Sequence, residues 1–139
     1  STETIVRNRG GLCLKLLSCI GVMLGLLIGA GFWINNSLQE STDRLSNQIQ
    51  QVSNSIQQGD WSGARRSSDK LQRSWEKDAR WWPVVLDHQE IDNIEFTMSR
   101  TSEYVRNQDP ALAQGQLAEL KLMVEHIPRK EEVNLENIL

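Results

Sequence analysis

Three side chains in this sequence stand at a spacing that suits chemistry. His88, Asp92 and Glu95 occupy positions i, i+4 and i+7. On a helix this lines an imidazole and two carboxylates along one face. Such a face can hold a divalent metal or move a proton. Glu125 and His126, near the end of a later helix, add ligands if the two helices pair suitably. Metal sites in helical bundles usually carry repeated Glu-x-x-His pairs, and the sequence has none. A polar face salt-bridged to arginines on a neighbouring helix explains the same residues without a ligand. Structure is the expected role, and a metal or small-ligand site at His88, Asp92 and Glu95 is the alternative.

Other chemistry is sparse. We find no nucleophile–base pair, phosphate loop or zinc motif. An enzyme is not expected, and no cofactor is implied. Trp61, Trp75, Trp81 and Trp82 are many aromatics for one segment. Trp61, Trp75 and Trp82 follow an apolar stripe, which makes packing their expected role. Trp81 lies off the stripe and is the candidate for a surface contact. Arg65, Arg66, Lys70, Arg73, Lys77 and Arg80 can attract anionic lipid or cell-wall polymer. Asp69, Glu76 and Asp78 are interspersed and weaken that field, so a solvated face is expected.

The elements that must position these residues read as helices. Leu38, Thr42, Leu45, Ile49, Val52 and Ile56 recur in steps of four and three, so helix A has one packed face. Gly59 is placed to end it. Asp60 is a natural N-cap for helix B, whose stripe is Trp61, Ala64, Ser68, Leu71, Trp75 and Trp82. Pro83 suits the first turn of a new helix, so helix C is expected from about Pro83 to Asn107, with Leu86, Ile91, Ile94, Met98 and Val105 inside. Asp109-Pro110 starts helix D, which carries Leu112, Leu117, Leu120, Val124 and Ile127 and is expected to stop before Pro128. Asp60, Ala64, Leu71 and Glu76 match Asp109, Ala113, Leu120 and Glu125 at a constant offset. Two helices with similar caps explain this better than a true repeat.

Composition divides the chain sharply. From Leu12 to Ile34 the sequence is apolar, with Lys15 its only charge. A 23-residue helix of this kind is about 34 Å long, enough to cross a hydrocarbon core of about 30 Å. Lys15 can snorkel at one end, and Trp33 suits the interface at the other. Arg7, Arg9 and Lys15 flank the N-terminal side, and the first charges beyond are Glu40 and Asp43. The positive-inside rule then places the N-terminus in the cytoplasm and the rest outside. A cleaved signal peptide would have a shorter apolar core. Leu16-Leu17-Ser18-Cys19 faintly resembles a lipoprotein box, but the apolar run continues well past Cys19. Gly21, Gly25 and Gly29 form a flat strip that lets two membrane helices approach closely, either two copies or this chain and another protein.

Beyond Asn35 the chain holds 12 Lys+Arg against 17 Asp+Glu. That acidic balance argues against nucleic acid, which needs clustered cations. Both cysteines, Cys13 and Cys19, lie in the apolar stretch. The remainder must therefore be held by its core rather than by disulfides. The expected organisation is a cytoplasmic segment 1–11, a transmembrane helix 12–34, an extracytoplasmic antiparallel bundle of about four helices over 35–128, and a tail 129–139. The tail's Val133, Leu135, Ile138 and Leu139 suit either folding back or docking onto a partner.

Gly59–Trp61, the Trp-rich stretch to Trp82, LDHQEIDNIE at Leu86–Glu95, ELKLMVEHIP at Glu119–Pro128 and the NLENIL ending carry a resemblance. The chain resembles an uncharacterised domain-of-unknown-function family of small membrane-anchored proteins from Gram-positive, often spore-forming, bacteria. The resemblance implies a cell-membrane location and supplies no activity and no binding residues. The expected function is a membrane-anchored interaction or scaffolding module, with the lipid bilayer and a protein partner, or a second copy, as its contacts.

Overall fold

The computed structural model describes the backbone of residues 2–138 and the side chains of residues 2 and 7–127. Every element among them is helical: α1 (Thr2–Gln57), α2 (Trp61–Asp78), a short 3-10 helix (Trp82–Val84), α3 (His88–Arg106) and α4 (Pro110–Ile138). The fold class is all-α, as the periodicity predicts. The chain divides after Ser37 into two compact units.

The first unit is the N-terminal part of α1. Its apolar window has a mean hydropathy of 2.3 and no part of it is buried. Leu12, Leu16, Leu24, Ile28 and Phe32 are all exposed. It is a long apolar helix, of the kind that serves as a membrane anchor or a signal sequence. Gly21, Gly25 and Gly29 have open space where a side chain would stand.

The second unit is a four-helix bundle built from α1 beyond Ser37, α2, α3 and α4. Polar contacts give its register. Gln48 Nε2 donates to Ser74 Oγ at 2.9 Å, and Arg44 pairs with Asp78, so α1 and α2 run antiparallel. Ser53 Oγ donates to Gln114 at 2.7 Å and Ser46 Oγ to Glu125 at 2.9 Å, so α1 and α4 do too. Ser68 faces Ser102 across α2 and α3, and Arg100 donates to Gln116 at 3.0 Å across α3 and α4. Each helix therefore has two antiparallel neighbours, the simplest way for four one-faced helices to share a core.

The core follows the stripes read from the sequence, with three adjustments. In α4 the core position is Ala113, fully buried, while Leu112 is 50% exposed. In α3 the gap between Met98 and Val105 is filled by Thr101, and Thr97 is buried beside it. Their hydroxyls donate to Thr97 O at 2.7 Å and to Asn93 O at 2.8 Å, so each satisfies itself within its own helix. In helix B, α2 ends at Asp78, four residues short of Trp82. Trp82 still reaches the core because the 3-10 turn carries it inward, where its ring meets Trp75 edge to face at 4.9 Å.

Helix boundaries differ at two prolines. Pro83 lies in the 3-10 helix and α3 begins at His88. The Asp87 carboxylate accepts from the Glu90 N–H at 2.8 Å, and this cap sets the start. Pro128 does not stop α4, which runs on to Ile138. Proline's φ is compatible with a helix, and what it removes is one hydrogen bond and some steric room. The following RKEE stretch consists of good helix formers. The expectation for Val133, Leu135, Ile138 and Leu139 lies outside the described side chains.

The two corners of the bundle at α1–α2 and α3–α4 share one design. Gly59 N–H donates to Ile56 O and Asp60 N–H to Ser55 O; Gln108 N–H donates to Val105 O and Asp109 N–H to Tyr104 O. Both are Schellman closures around a left-handed residue, Gly59 at φ 71° and Gln108 at φ 55°. In each, the next residue turns at once into an N-cap. Asp60 accepts from Gly63 N–H at 2.9 Å, and Asp109 accepts from Leu112 N–H at 3.1 Å. The residues matched by the sequence offset thus hold equivalent places: caps at Asp60 and Asp109, core at Ala64 and Ala113 and at Leu71 and Leu120.

Candidate functional site

His88 is the first residue of α3, immediately after its cap, and is exposed. Asp92 and Glu95 are exposed further along the same helix. Glu95 borders a cleft of about 280 Å³ between α2 and α3, with Gln72, Trp75, Glu76, Met98 and Ser99. His126 borders a different cleft, of about 540 Å³, between α3 and α4. There its neighbours are Glu90, Asn93, Ile94, Leu122, Met123 and Ile127. Neither cleft is bordered by His88 or Asp92. Among the described residues no group of three or more His, Cys, Asp or Glu is arranged to hold a metal ion. The spacing of His88, Asp92 and Glu95 is met, but a face is not a site: one helix presents its side chains outward, and a second element must close over them.

Two of the arginines expected to brace that face make contacts within their own helix. Arg65 donates to Trp61 O and Arg66 to Ser62 Oγ, both within α2. The strong ion pair is made by a residue that sequence reading passed over. Arg44 of α1 meets Asp78, whose side chain is only 5% exposed. The pattern held a signal for it, since Asp78 falls one helical turn after Trp75, a stripe residue.

The tryptophans are mostly structural. Trp75 and Trp82 are buried, and Trp61 is half-buried against the core. Trp81, expected at the surface, is also half-buried, with its ring 6.2 Å from that of Trp82. It sits in the tight 81–85 turn, where the helical stripe no longer decides which side faces in. Among the described residues, the buried indole N–H groups of Trp75 and Trp82 have no hydrogen-bond partner. An unpaired donor costs about 1–3 kcal/mol. Burying an indole of 150–250 Å² returns about 4–6 kcal/mol at the usual coefficient, so packing wins.

The bundle also exposes large apolar side chains. Leu122 at the wide cleft is 70% exposed, Phe96 on α3 is 60% exposed, and Val84 in the 3-10 turn is 79% exposed. None lies on a core stripe, which is the signal that marks them: a large apolar side chain off the packed face of its helix.

Residues 32–138 match a family described as a domain of unknown function (DUF4363). The match covers the entire bundle and most of the chain, and the chain belongs to this family. No curated protein and no solved structure matches it.

Proposed function

We propose that this member of the DUF4363 family is a membrane-anchored interaction module. The apolar part of α1 spans the cell membrane, and the bundle is held on the outer face to bind or scaffold another protein. One observation carries this reading. The same helix is bare and apolar before Ser37, and from Leu38 onward it presents a buried stripe to the bundle core. Exposed leucines and isoleucines in such number are stable only in lipid or against another apolar surface. The flanking charges, Arg7, Arg9 and Lys15 against Glu40 and Asp43, support a cytoplasmic N-terminus.

The bundle itself favours binding over catalysis. Ile94, Leu122, Met123 and Ile127 border its wider cleft, and many of its polar side chains serve as caps or helix–helix bonds. The strip of Gly21, Gly25 and Gly29 supports association between membrane helices.

Affinity capture from detergent-solubilised membranes tests the proposal. A reproducible protein partner, or a stable dimer, is the expected result. Recovery of the chain alone and monomeric would remove the interaction reading. Labelling of intact cells tests the placement: a cysteine placed at exposed Gln58 is expected to react with an impermeant maleimide.

A further inference from the structure

We infer that the row Arg66, Lys70, Arg73 and Lys77 on α2 binds a linear polyanion with phosphodiester links. The four recur in steps of four, three and four residues, so they line one face of the helix over about 16 Å of its axis. All four are exposed. Among the described residues none of them takes part in an ion pair. Arg66 donates to Ser62 Oγ through Nη1, and its other nitrogens remain for a ligand.

Folding separates this row from the carboxylates that the sequence intersperses with it. Asp78 is buried and already held by Arg44. Glu76 borders the cleft between α2 and α3, and Asp69 stands two turns before it on the same side. The row extends along the other side, toward α1. Lys70 and Lys77 lie one turn either side of Ser74, which accepts a hydrogen bond from Gln48 of α1. From Leu45 to Gly59 the chain has no Asp or Glu, so no carboxylate there opposes the row. Charge is divided along the chain as well. Residues 44–80 hold 7 Lys+Arg against 4 Asp+Glu, and residues 81–139 hold 5 against 11. The acidic average of the domain conceals a basic α1–α2 face.

The form of the row says what covers it. Successive cations rise about 4.5–6 Å along the helix, which suits an extended chain with one anion per unit. Binding such a chain releases its counterions, so several weak contacts add up. Arg66 and Arg73 offer planar forks that match phosphate oxygens. A flat anionic membrane surface fits less well, since a plane laid on the row also meets Asp69 and Glu76 at its edge. A thread can lie on the α1 side of the row, clear of both. Single-stranded nucleic acid is held largely by stacking on aromatic side chains. The row has none, because Trp61 and Trp75 of α2 pack against the core.

The test uses the full chain in phosphatidylcholine nanodiscs and a fluorescent glycerol-phosphate oligomer of about twelve units, followed by anisotropy. Lys70→Gln is expected to weaken binding at least about threefold and to reduce the salt slope by about one contact. Arg65→Gln removes the same charge from the same helix, off the row, and is expected to stay within about twofold of the unaltered chain. Both positions are exposed, so neither change disturbs the core. Equal losses in the two variants would overturn the row, since net charge alone would then be the cause. A two-unit oligomer, the size of a lipid headgroup, is expected to bind at least about tenfold more weakly. Equal affinity for it would overturn the linear ligand, and tighter binding of oligothymidylate or polyglutamate of the same length would overturn the phosphodiester assignment. Only the source of the polymer, outside the membrane, rests on the placement proposed above. Oligomer binding without maleimide labelling of Gln58→Cys in intact cells would uphold the row and reject that placement.

Discussion

Arg44 holds both carboxylate oxygens of Asp78 through a single nitrogen, Nη2, at 3.0 and 2.9 Å. The two ends of the pair differ in exposure: the arginine side chain is 43% exposed and the aspartate 5%. This asymmetry sets the outcome of mutation. Arg44→Ala strands a buried carboxylate, whereas Asp78→Ala leaves a guanidinium that water can reach. We expect Arg44→Ala to cost about 2 kcal/mol and Asp78→Ala clearly less, from urea unfolding followed by tryptophan fluorescence in detergent. Equal costs would show that burial of Asp78 does not matter.

Gln108 and Gly59 occupy the same left-handed position of two matching corners. A side chain there costs about 1 kcal/mol relative to glycine. Gln108→Gly is expected to raise bundle stability by up to about 1 kcal/mol, and Gly59→Ala to lower it by about as much. A thermal melt of each variant checks the pair, and opposite signs are required.

Each corner also ends in a capping aspartate. Asp60→Ala and Asp109→Ala are each expected to cost about 1 kcal/mol, because each leaves an N–H at the helix start without its acceptor. Asparagine at either position is expected to restore most of the loss. Failure of asparagine to do so in the same melts would argue that charge, rather than the hydrogen bond, is what stabilises these starts.

Leu112 and Ala113 reverse the usual expectation for size. The larger residue is half out in water and the smaller is sealed. Leu112→Gln is expected to change stability by less than about 0.5 kcal/mol. Ala113→Leu is expected to cost about 1–3 kcal/mol by overpacking. Chemical denaturation of the two variants decides between this register and one turned by a single residue.

Added zinc is expected to leave the melting temperature unchanged. A ligand that binds only the folded state stabilises it by mass action, and the described residues present no clustered ligand set. A rise in Tm with zinc that His88→Ala abolishes would reinstate a site on α3.

Much of the architecture is legible in the sequence. The bare apolar stretch, the stripe from Leu38 to Ile56 and the caps at Asp60 and Asp109 each depend on residues close in sequence, so period and capping chemistry suffice. The offset linking Ala64 and Leu71 to Ala113 and Leu120 was visible for the same reason. What escaped depends on contacts between helices. Nothing local tells Ala113 from Leu112, because burial is decided by which neighbour lies opposite. Thr97 and Thr101 read as polar until their own helix is seen to absorb the hydroxyls. Arg44 and Asp78 are 34 residues apart, and only folding makes them partners. His88, Asp92 and Glu95 show the same limit from the other side. Helical spacing can put three ligands on one face, but a site needs a second surface to close it, and only the packing of α2 and α4 against α3 determines which residues those surfaces bring.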